Sequence, residues 1–283
     1  MGAPARDPGA DELIVISGAS SGIGAATARE LAARGFHVLA GVRRTEDADA
    51  LRDDRIEPVL LDVTVGEHIA ALAARIADDP HQRSLRAVIN NAAIEINAPL
   101  EVLPLDIWRQ LFEVNLFGQV AVIQALLPAL RRSKGRVVNI SSVGAESVLP
   151  IYGAYAGTKA AFESASDALR REVRAQGIQV VIVQSGGVKT VMAERSGPLS
   201  LELASRMGPE HTDLYGELIA STVRFQSSFL EHAVTATKAA TKIANITTAK
   251  RPRIRYTLGV DAAFTVPLNR ILPARLMDRI LAR

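Results

Sequence analysis

Tyr155 and Lys159 stand four residues apart at the opening of an apolar helical pattern. Four residues is slightly more than one helical turn, so the phenol and the ammonium share a face. A free phenol loses its proton near pH 10, too high for acid–base work at neutrality. Bringing it to roughly 7 takes about 4 kcal/mol of preference for the phenolate. One ammonium about 4 Å away, at an effective dielectric of about 20, supplies about that much. The pair is sufficient in principle to donate and accept a proton, although Tyr and Lys at this spacing are also common in helices that do no chemistry.

The elements around the pair form a recognisable series. Residues 13–16, Leu-Ile-Val-Ile, read as a buried parallel strand. They run into Ser17-Gly18-Ala19-Ser20-Ser21-Gly22-Ile23-Gly24 and a helical pattern that Gly35 ends. Strand, glycine turn and helix make a phosphate-binding unit. Small residues let the backbone approach a pyrophosphate, and the helix N-terminus offers free N–H groups and positive partial charge. The spacing is G-x-x-x-G-x-G, distinct from G-x-G-x-x-G and, without Gly-Lys-Ser/Thr, from a P-loop. A second strand, 36–42, ends without the carboxylate that holds ribose hydroxyls in NAD-selective folds. Arg43 and Arg44 follow instead, and an Arg there suits the extra phosphate of NADP. NADP is therefore expected ahead of NAD, although an Arg pair after a strand is often only surface charge.

A third strand, 59–61, leads to Asp62 and Val63, and a fourth, 85–89, to Asn90-Asn91-Ala92-Ala93. Adjacent amides at a strand end can tie neighbouring loops. A long helical pattern over 107–130 contains Asn115, either a packing tie or a functional polar group, because a buried Asn is costly unless satisfied. A fifth strand, 136–140, ends in Ser141-Ser142, and a sixth, 179–183, in Ser185-Gly186-Gly187. Strands alternating with helices imply an α/β fold, a Rossmann-type doubly wound parallel sheet in a single domain with a small C-terminal helical lid. In such sheets ligands gather at the carboxyl ends of the strands, which puts the glycine turn, Asp62, Asn91, Ser142 and Gly186 on one rim.

Composition narrows the class. Of 283 residues, 48% are hydrophobic and 22% charged, which indicates a well-buried core. The absence of Cys excludes disulfides and thiolate catalysis and suits a reducing cytoplasm. A net charge of +3 does not argue for nucleic acid. No metal site is expected. No run approaches about 18 uninterrupted apolar residues, so no membrane span is expected. The polar segment 1–12 reads as a flexible N-terminus without a signal core.

These residues together resemble the short-chain dehydrogenase/reductase family over 13–190, with weaker likeness to about 265. The carriers are the glycine turn, Asp62, Asn90-Asn91-Ala92-Ala93, Asn115, Ser142, the Tyr155-x-x-x-Lys159 pair and the thirteen-residue step from Ser142 to Tyr155. The resemblance implies a hydride transfer between a nicotinamide and a carbonyl or alcohol. Tyr155 would be the general acid/base and Lys159 the residue that lowers its pKa and binds the nicotinamide ribose. Ser142 would polarise the carbonyl, and Asn115 would hold a water relaying protons to Lys159. Gly18, Ser20, Ser21, Gly22, Ile23, Gly24 and Arg43 would cradle the cofactor phosphates. Asp62 and Val63 would contact adenine, Asn91 would buttress the sheet beside the cofactor, Ala92 would belong to the cofactor-binding set, and Val188 and Thr190 would hold the carboxamide. Tyr152, off the one-turn spacing, is a competing tyrosine. Ser17, Ala93 and Ser185 depart from the family pattern, the last freeing an N–H and loosening the turn near the nicotinamide. A non-catalytic NADP(H)-binding regulatory protein is the alternative.

The domain is expected over 13–265, with a variable lid over 191–248. Met192, Leu199, Leu201, Leu203, Met207, Leu214, Phe225 and Phe229 in that lid favour a bulky apolar substrate, or simply pack two helices. Residues 253–262 resemble the retinol and 17β-hydroxysteroid dehydrogenase branch. The tail, 266–283, places Arg275, Arg279 and Arg283 at steps of four beside apolar residues. It could touch an anionic membrane surface or, as favoured, dock on its own domain or a partner subunit. Relatives of this kind pair as homodimers or homotetramers through the long helices, here 107–130 and 156–176.

Overall fold

The computed structural model describes residues 12–281, so the N-terminal segment 1–11 and Arg283 of the tail lie outside the described residues. Strands and helices alternate from the start. Strand β1 (Glu12–Ile16) leads to α1 (Gly22–Ala33), β2 (His37–Val42) and β3 (Ile56–Leu60). Helix α2 (Gly66–Ala77) and β4 (Ser84–Asn90) follow, then α3 (Leu105–Phe112), a π turn (Glu113–Phe117) and α4 (Gly118–Ser133). Next come β5 (Arg136–Ser142), α5 (Gly153–Glu172), β6 (Gln179–Ser185) and the short β7 (Val188–Lys189). The chain continues through α6 (Val191–Ser205), α7 (Pro209–Glu231), β8 (Val234–Thr235), α8 (Ala236–Thr248), β9 (Arg255–Leu258), α9 (Val260–Ile271) and α10 (Ala274–Leu281).

Seven strands form one parallel sheet in the order β3-β2-β1-β4-β5-β6-β9. Successive side chains point to opposite faces, so Ile14 and Ile16 join one core and Leu13 and Val15 the other. The first core takes α1 and α8 through Leu31 and Ile243. The second takes α2, α4 and α5 through Leu72, Leu126 and Phe162. Both faces are covered, which is why the strands read as continuous apolar runs. The order reverses direction at β1, between β2 and β4, which opens a crevice at the carboxyl ends.

Three differences from the sequence reading have physical causes. Strands β5 and β6 run two residues further than expected, because pairing continues through Ser141↔Gln184 and Ser142↔Ser185. The pair β7–β8 carries only two residues a side, too few to leave a periodic signal. The stretch Leu105–Ser133 is long and apolar enough by length and composition to cross a membrane, with a mean hydropathy of 1.4 in its best window. Counting only uninterrupted apolar runs overlooked it. Its apolar side is spent on the second core, and it carries the buried, hydrogen-bonded Asn115 and Gln119.

Arg136 fastens the last core helix to the sheet. It is buried at the start of β5, and its guanidinium donates to the carbonyls of Ile246, Thr247 and Ala249 at the end of α8. Those are carbonyls that a helix end leaves without intrahelical partners. Arg136→Ala is expected to cost about 3 kcal/mol in equilibrium urea unfolding, since buried acceptors lose a charged donor. Arg131→Ala, removing an exposed bond to Gln176, should stay within about 0.5 kcal/mol; equal effects would contradict this account.

Candidate active site

The carboxyl ends of β1 to β6 present Gly18, Arg43, Asp62, Asn91, Ser142 and Ser185 along one rim. Two cavities meet there, a cleft of about 750 Å³ and a largely apolar cavity of about 430 Å³. Gly18, Ser20, Ser21, Gly22, Ile23, Arg43, Asp62, Val63, Asn91, Ala92 and Thr190 line the cleft. Ser142, Tyr155, Lys159 and Val188 line the smaller cavity, and Ile23, Asn91 and Thr190 line both. Gly24 lies beneath the turn, and Asn115, fully buried, reaches neither.

The glycine turn is shaped by close approach. Gly18 has φ +65°, and a Cβ there would lie 2.7 Å from Ala92 Cα. A Cβ at Gly24 would lie 2.2 Å from the Gly18 carbonyl oxygen and 2.7 Å from Asn91 Nδ2. The Ser21 side chain makes no cap bond, so the first N–H groups of α1 point at the cleft without a side-chain partner. This donor set fits a pyrophosphate, whose charge also suits the helix N-terminus. Beneath it, Ser17 Oγ accepts from the N–H groups of Asn91 and Ala92, both at 3.0 Å, and donates to Gln119 Oε1. Asn91 Nδ2 donates to the carbonyls of Ser17 and Gly18. The amides therefore tie loops as expected, and Ser17 keeps the work of a hydroxyl.

Arg43 and Arg44 part company. Arg44 is committed to Asp47, with bonds of 3.1 and 2.9 Å. Arg43 is exposed on the cleft and, among the described residues, makes no ion pair. Partial burial opposes ionisation of Asp62, but bonds from Thr64 and the charge of Arg43 hold its carboxyl below the usual range.

Tyr155 and Lys159 sit one turn apart on α5, both buried, with Nζ 5.8 Å from the phenol ring centre. Nζ donates to the Ile140 carbonyl at 3.1 Å. Burial lowers the Lys159 pKa to about 8, opposed by the Glu95 and Glu163 carboxyls. Burial and Glu95 push the Tyr155 phenol above its ordinary value, with the Ser142 hydroxyl pulling the other way. One ammonium at helical spacing would lower the phenol's pKa, and burial together with Glu95 reverses the sign. Ser142 Oγ accepts from the Gly144 N–H at 3.1 Å, which leaves its proton to donate into the cavity. Asn115 lies in the π turn and brackets Ile94, accepting from its N–H and donating to its carbonyl, each at 2.9 Å. It also donates to Thr158 Oγ1, which donates to the Tyr155 carbonyl. Its side chain is thus a tie between the loop after β4 and α5.

Glu95 and Ile151 were not singled out by sequence, and Tyr152 was read only as a competing tyrosine. Glu95 lines both cavities, and Tyr152 lines the smaller one beside Tyr155. Ile151 precedes them at φ +65°, a strained conformation for a β-branched residue that turns the chain into α5. The turn at Ser185 is not loose: Gly186 N–H donates to Leu258 O at 2.8 Å and Gly187 N–H to Asp261 Oδ2 at 2.7 Å. Asp261 was visible only as part of a family-like stretch. Of the apolar residues after 190, Met192, Phe225 and Phe229 line the smaller cavity while staying partly open to solvent, and Leu201 and Leu214 are exposed and line neither cavity. Met277 on α10 is buried and lines the same cavity, so the tail docks on its own domain.

The family model described as short chain dehydrogenase matches residues 12–198. Retinol dehydrogenase 16 of Homo sapiens is 34% identical over 279 residues, covering 96% of this chain and 88% of that protein. The 17-beta-hydroxysteroid dehydrogenase type 6 of Homo sapiens is 34% identical over 282 residues, with the same coverage of each. A crystal structure of a short-chain dehydrogenase from Streptomyces avermitilis superposes with a TM-score of 0.75 at 28% identity, covering 98% of this chain and 95% of the other.

The glycine turn makes a prediction whose sign opposes helix propensity. Ala is preferred to Gly in a helix by about 1 kcal/mol, so Gly24→Ala would stabilise α1 if nothing else mattered. The backbone oxygen 2.2 Å from the added methyl reverses this, and a loss of about 2 kcal/mol or more is expected in denaturant unfolding. Gly66→Ala, where nothing lies within 4 Å, should be neutral or slightly stabilising.

Proposed function

The chain belongs to the short-chain dehydrogenase family and is an NAD(P)-dependent oxidoreductase, and we propose that it uses NADP(H) to interconvert a bulky apolar alcohol and its carbonyl. The observation that carries this reading is the meeting of the glycine-lined cleft with an apolar cavity at Ser142, Tyr155 and Lys159. The bound cofactor supplies or accepts the hydride. Tyr155 delivers a proton to the carbonyl oxygen in reduction and removes it in oxidation. Ser142, which accepts from the Gly144 N–H on one lone pair, donates to the same oxygen and fixes its position. Lys159, charged below about pH 8, stabilises the phenolate and binds the nicotinamide ribose. Asn115 is a positioning residue; its side chain is spent on Ile94 and Thr158, so a relay water would be held by its backbone carbonyl.

Arg43 supports NADP over NAD, since an exposed guanidinium at the end of β2 that makes no ion pair among the described residues suits the 2′-phosphate. The cavity wall of Leu149, Met192, Phe225, Phe229, Leu268 and Met277 supports an apolar substrate. Two of the relatives are named for retinol and a hydroxysteroid. Residues 191–248 serve as the substrate lid in this reading, and the Cys-free chain works in the cytoplasm as a homo-oligomer. A regulatory protein without chemistry would have no use for a cavity that reaches the Tyr155–Lys159 pair.

The reading is tested by following loss of reduced-cofactor absorbance with NADPH and NADH against ketosteroids, retinal, long-chain ketones and small carbonyls. Tyr155→Phe should lower kcat at least about 100-fold with cofactor affinity within about threefold; full activity would refute the assignment. Because Tyr155 is pushed up, its neutral form dominates at neutrality. Reduction should be level from about pH 6 to about pH 7.5, and oxidation, which needs the phenolate, should climb with pH through that range. Arg43→Ala should raise KM for NADPH roughly tenfold and leave that for NADH nearly unchanged; parallel changes would sink the NADP preference.

A further inference from the structure

Glu95 is a titratable group at the reacting centre that the chemistry above does not use. We propose that Glu95, with the Tyr152 hydroxyl beside it, forms a polar subsite that holds a second hydroxyl group of an otherwise apolar, uncharged substrate. The inference rests on the apolar-substrate reading and names the substrate class more narrowly.

Placement is the first argument. Glu95 lines both cavities and so stands where cofactor and substrate meet, next to Tyr152, Tyr155 and Lys159 in the smaller one. Its carboxyl is fixed: Oε1 accepts from Asn97 Nδ2 at 2.8 Å and from Ser196 Oγ at 2.7 Å. Oε2 takes neither bond, and the Tyr152 hydroxyl stands within hydrogen-bond reach of the same carboxyl and of Ser196. A mere tie between the loop after β4 and α6 does not require the carboxyl, since Asn97 Nδ2 already donates to Ser196 Oγ at 3.0 Å. The bonds to Oε1 offset part of the cost of holding an acid in an apolar cavity, and a polar group on Oε2 would offset more.

Charge is the second. Among the described residues that line the cavity, Lys159 is the one cation and Glu95 and Asp261 the two acids. Asp261 is engaged by the Gly187 N–H. A substrate carboxylate would face both acids in a poorly screened space, and a substrate ammonium would face Lys159. A hydroxyl meets neither objection. It can donate to Glu95 Oε2 and accept from the Tyr152 hydroxyl, bridging two groups that otherwise bond each other. Burial raises the Glu95 carboxyl above its usual range and Tyr152 likewise, which favours neutral hydrogen-bonding partners over an ion pair.

The test is binding, kept apart from turnover by saturating the enzyme with NADPH, which cannot oxidise an alcohol. Calorimetry would compare a decalin-sized secondary alcohol with a series bearing a second hydroxyl at successive ring positions, and with a carboxylate analogue. At least one diol should bind about tenfold more tightly than the mono-ol, because a site built to bond a hydroxyl rejects the analogue lacking it. In Glu95→Leu that ratio should fall to about 1, and in Tyr152→Phe to less than half its value. Glu95→Gln, close to isosteric and still an acceptor, should keep a ratio above about 3. The carboxylate analogue should bind more weakly than the mono-ol. Absence of any diol preference in the wild type, or a ratio unchanged in Glu95→Leu and Tyr152→Phe, overturns the subsite. Oxidation of the mono-ol with NADP is assayed separately: turnover without a diol preference removes the subsite alone, and a diol preference without turnover removes the NADP-dependent apolar-alcohol reading alone.

Discussion

Keeping an ammonium charged inside the protein is the constraint around which this site is arranged. Lys159 is 3% exposed, and an isolated buried ion costs several kcal/mol. Its direct protein acceptor is the Ile140 carbonyl, near the end of β5. The remaining support comes through space, from Glu163 one turn on along α5 and Glu95 across the cavity. Strand, helix and loop therefore each contribute one group to a single charge. The outcome, a pKa of about 8, leaves the lysine charged at neutrality yet sensitive to any nearby change in charge. Glu95 acts in opposite directions on the pair, since it favours the ammonium and disfavours the phenolate.

The same economy of contacts builds the cofactor cleft. Ser17, at the end of β1, receives two N–H groups from the loop after β4 and bonds to Gln119 on α4. Gln119 in turn donates to the Ala92 and Val114 carbonyls. Asn90 donates to Asn139 on β5, which donates to Ser166 on α5. Through these amides the loop that carries Glu95 is locked to β1, α4 and, by way of Asn115 and Thr158, to α5. A shift of that loop would move the glycine turn and the Tyr155 helix together.

Much of this was legible in the chain, for a physical reason. Strands buried on both faces are mostly apolar, so residues 13–16 and most of 179–183 announced themselves, and Gly35 marked a helix end where the structure has φ +95°. Groups at strand ends were legible because a parallel sheet puts them on one rim. What escaped was set by distance in sequence. Glu95 gains meaning from Ser196, 101 residues away, and Asp261 from Gly187, 74 residues away. The direction of the phenol's shift escaped because spacing shows the attraction of the ammonium and only the fold shows the burial that opposes it. The boundary drawn at 265 falls inside α9, which runs on to Ile271 because Asn269 and Arg270 bond the Glu146 loop.

The cavity walls explain why chemistry and specificity separate along the chain. Ser142, Tyr155 and Lys159 come from β5 and α5, inside the segment that matches the family model. Most of the apolar wall comes from later: Met192 from α6, Phe225 and Phe229 from α7, Leu268 from α9 and Met277 from α10. Of these only Met192 falls within residues 12–198. Large apolar side chains on late helices can be exchanged without disturbing the ties that hold Lys159 and the glycine turn. Glu95 is the exception, a polar group of the early segment that faces the late wall and bonds α6 through Ser196. Whatever fills the cavity must therefore satisfy both an exchangeable apolar wall and one fixed acid anchored to the catalytic framework.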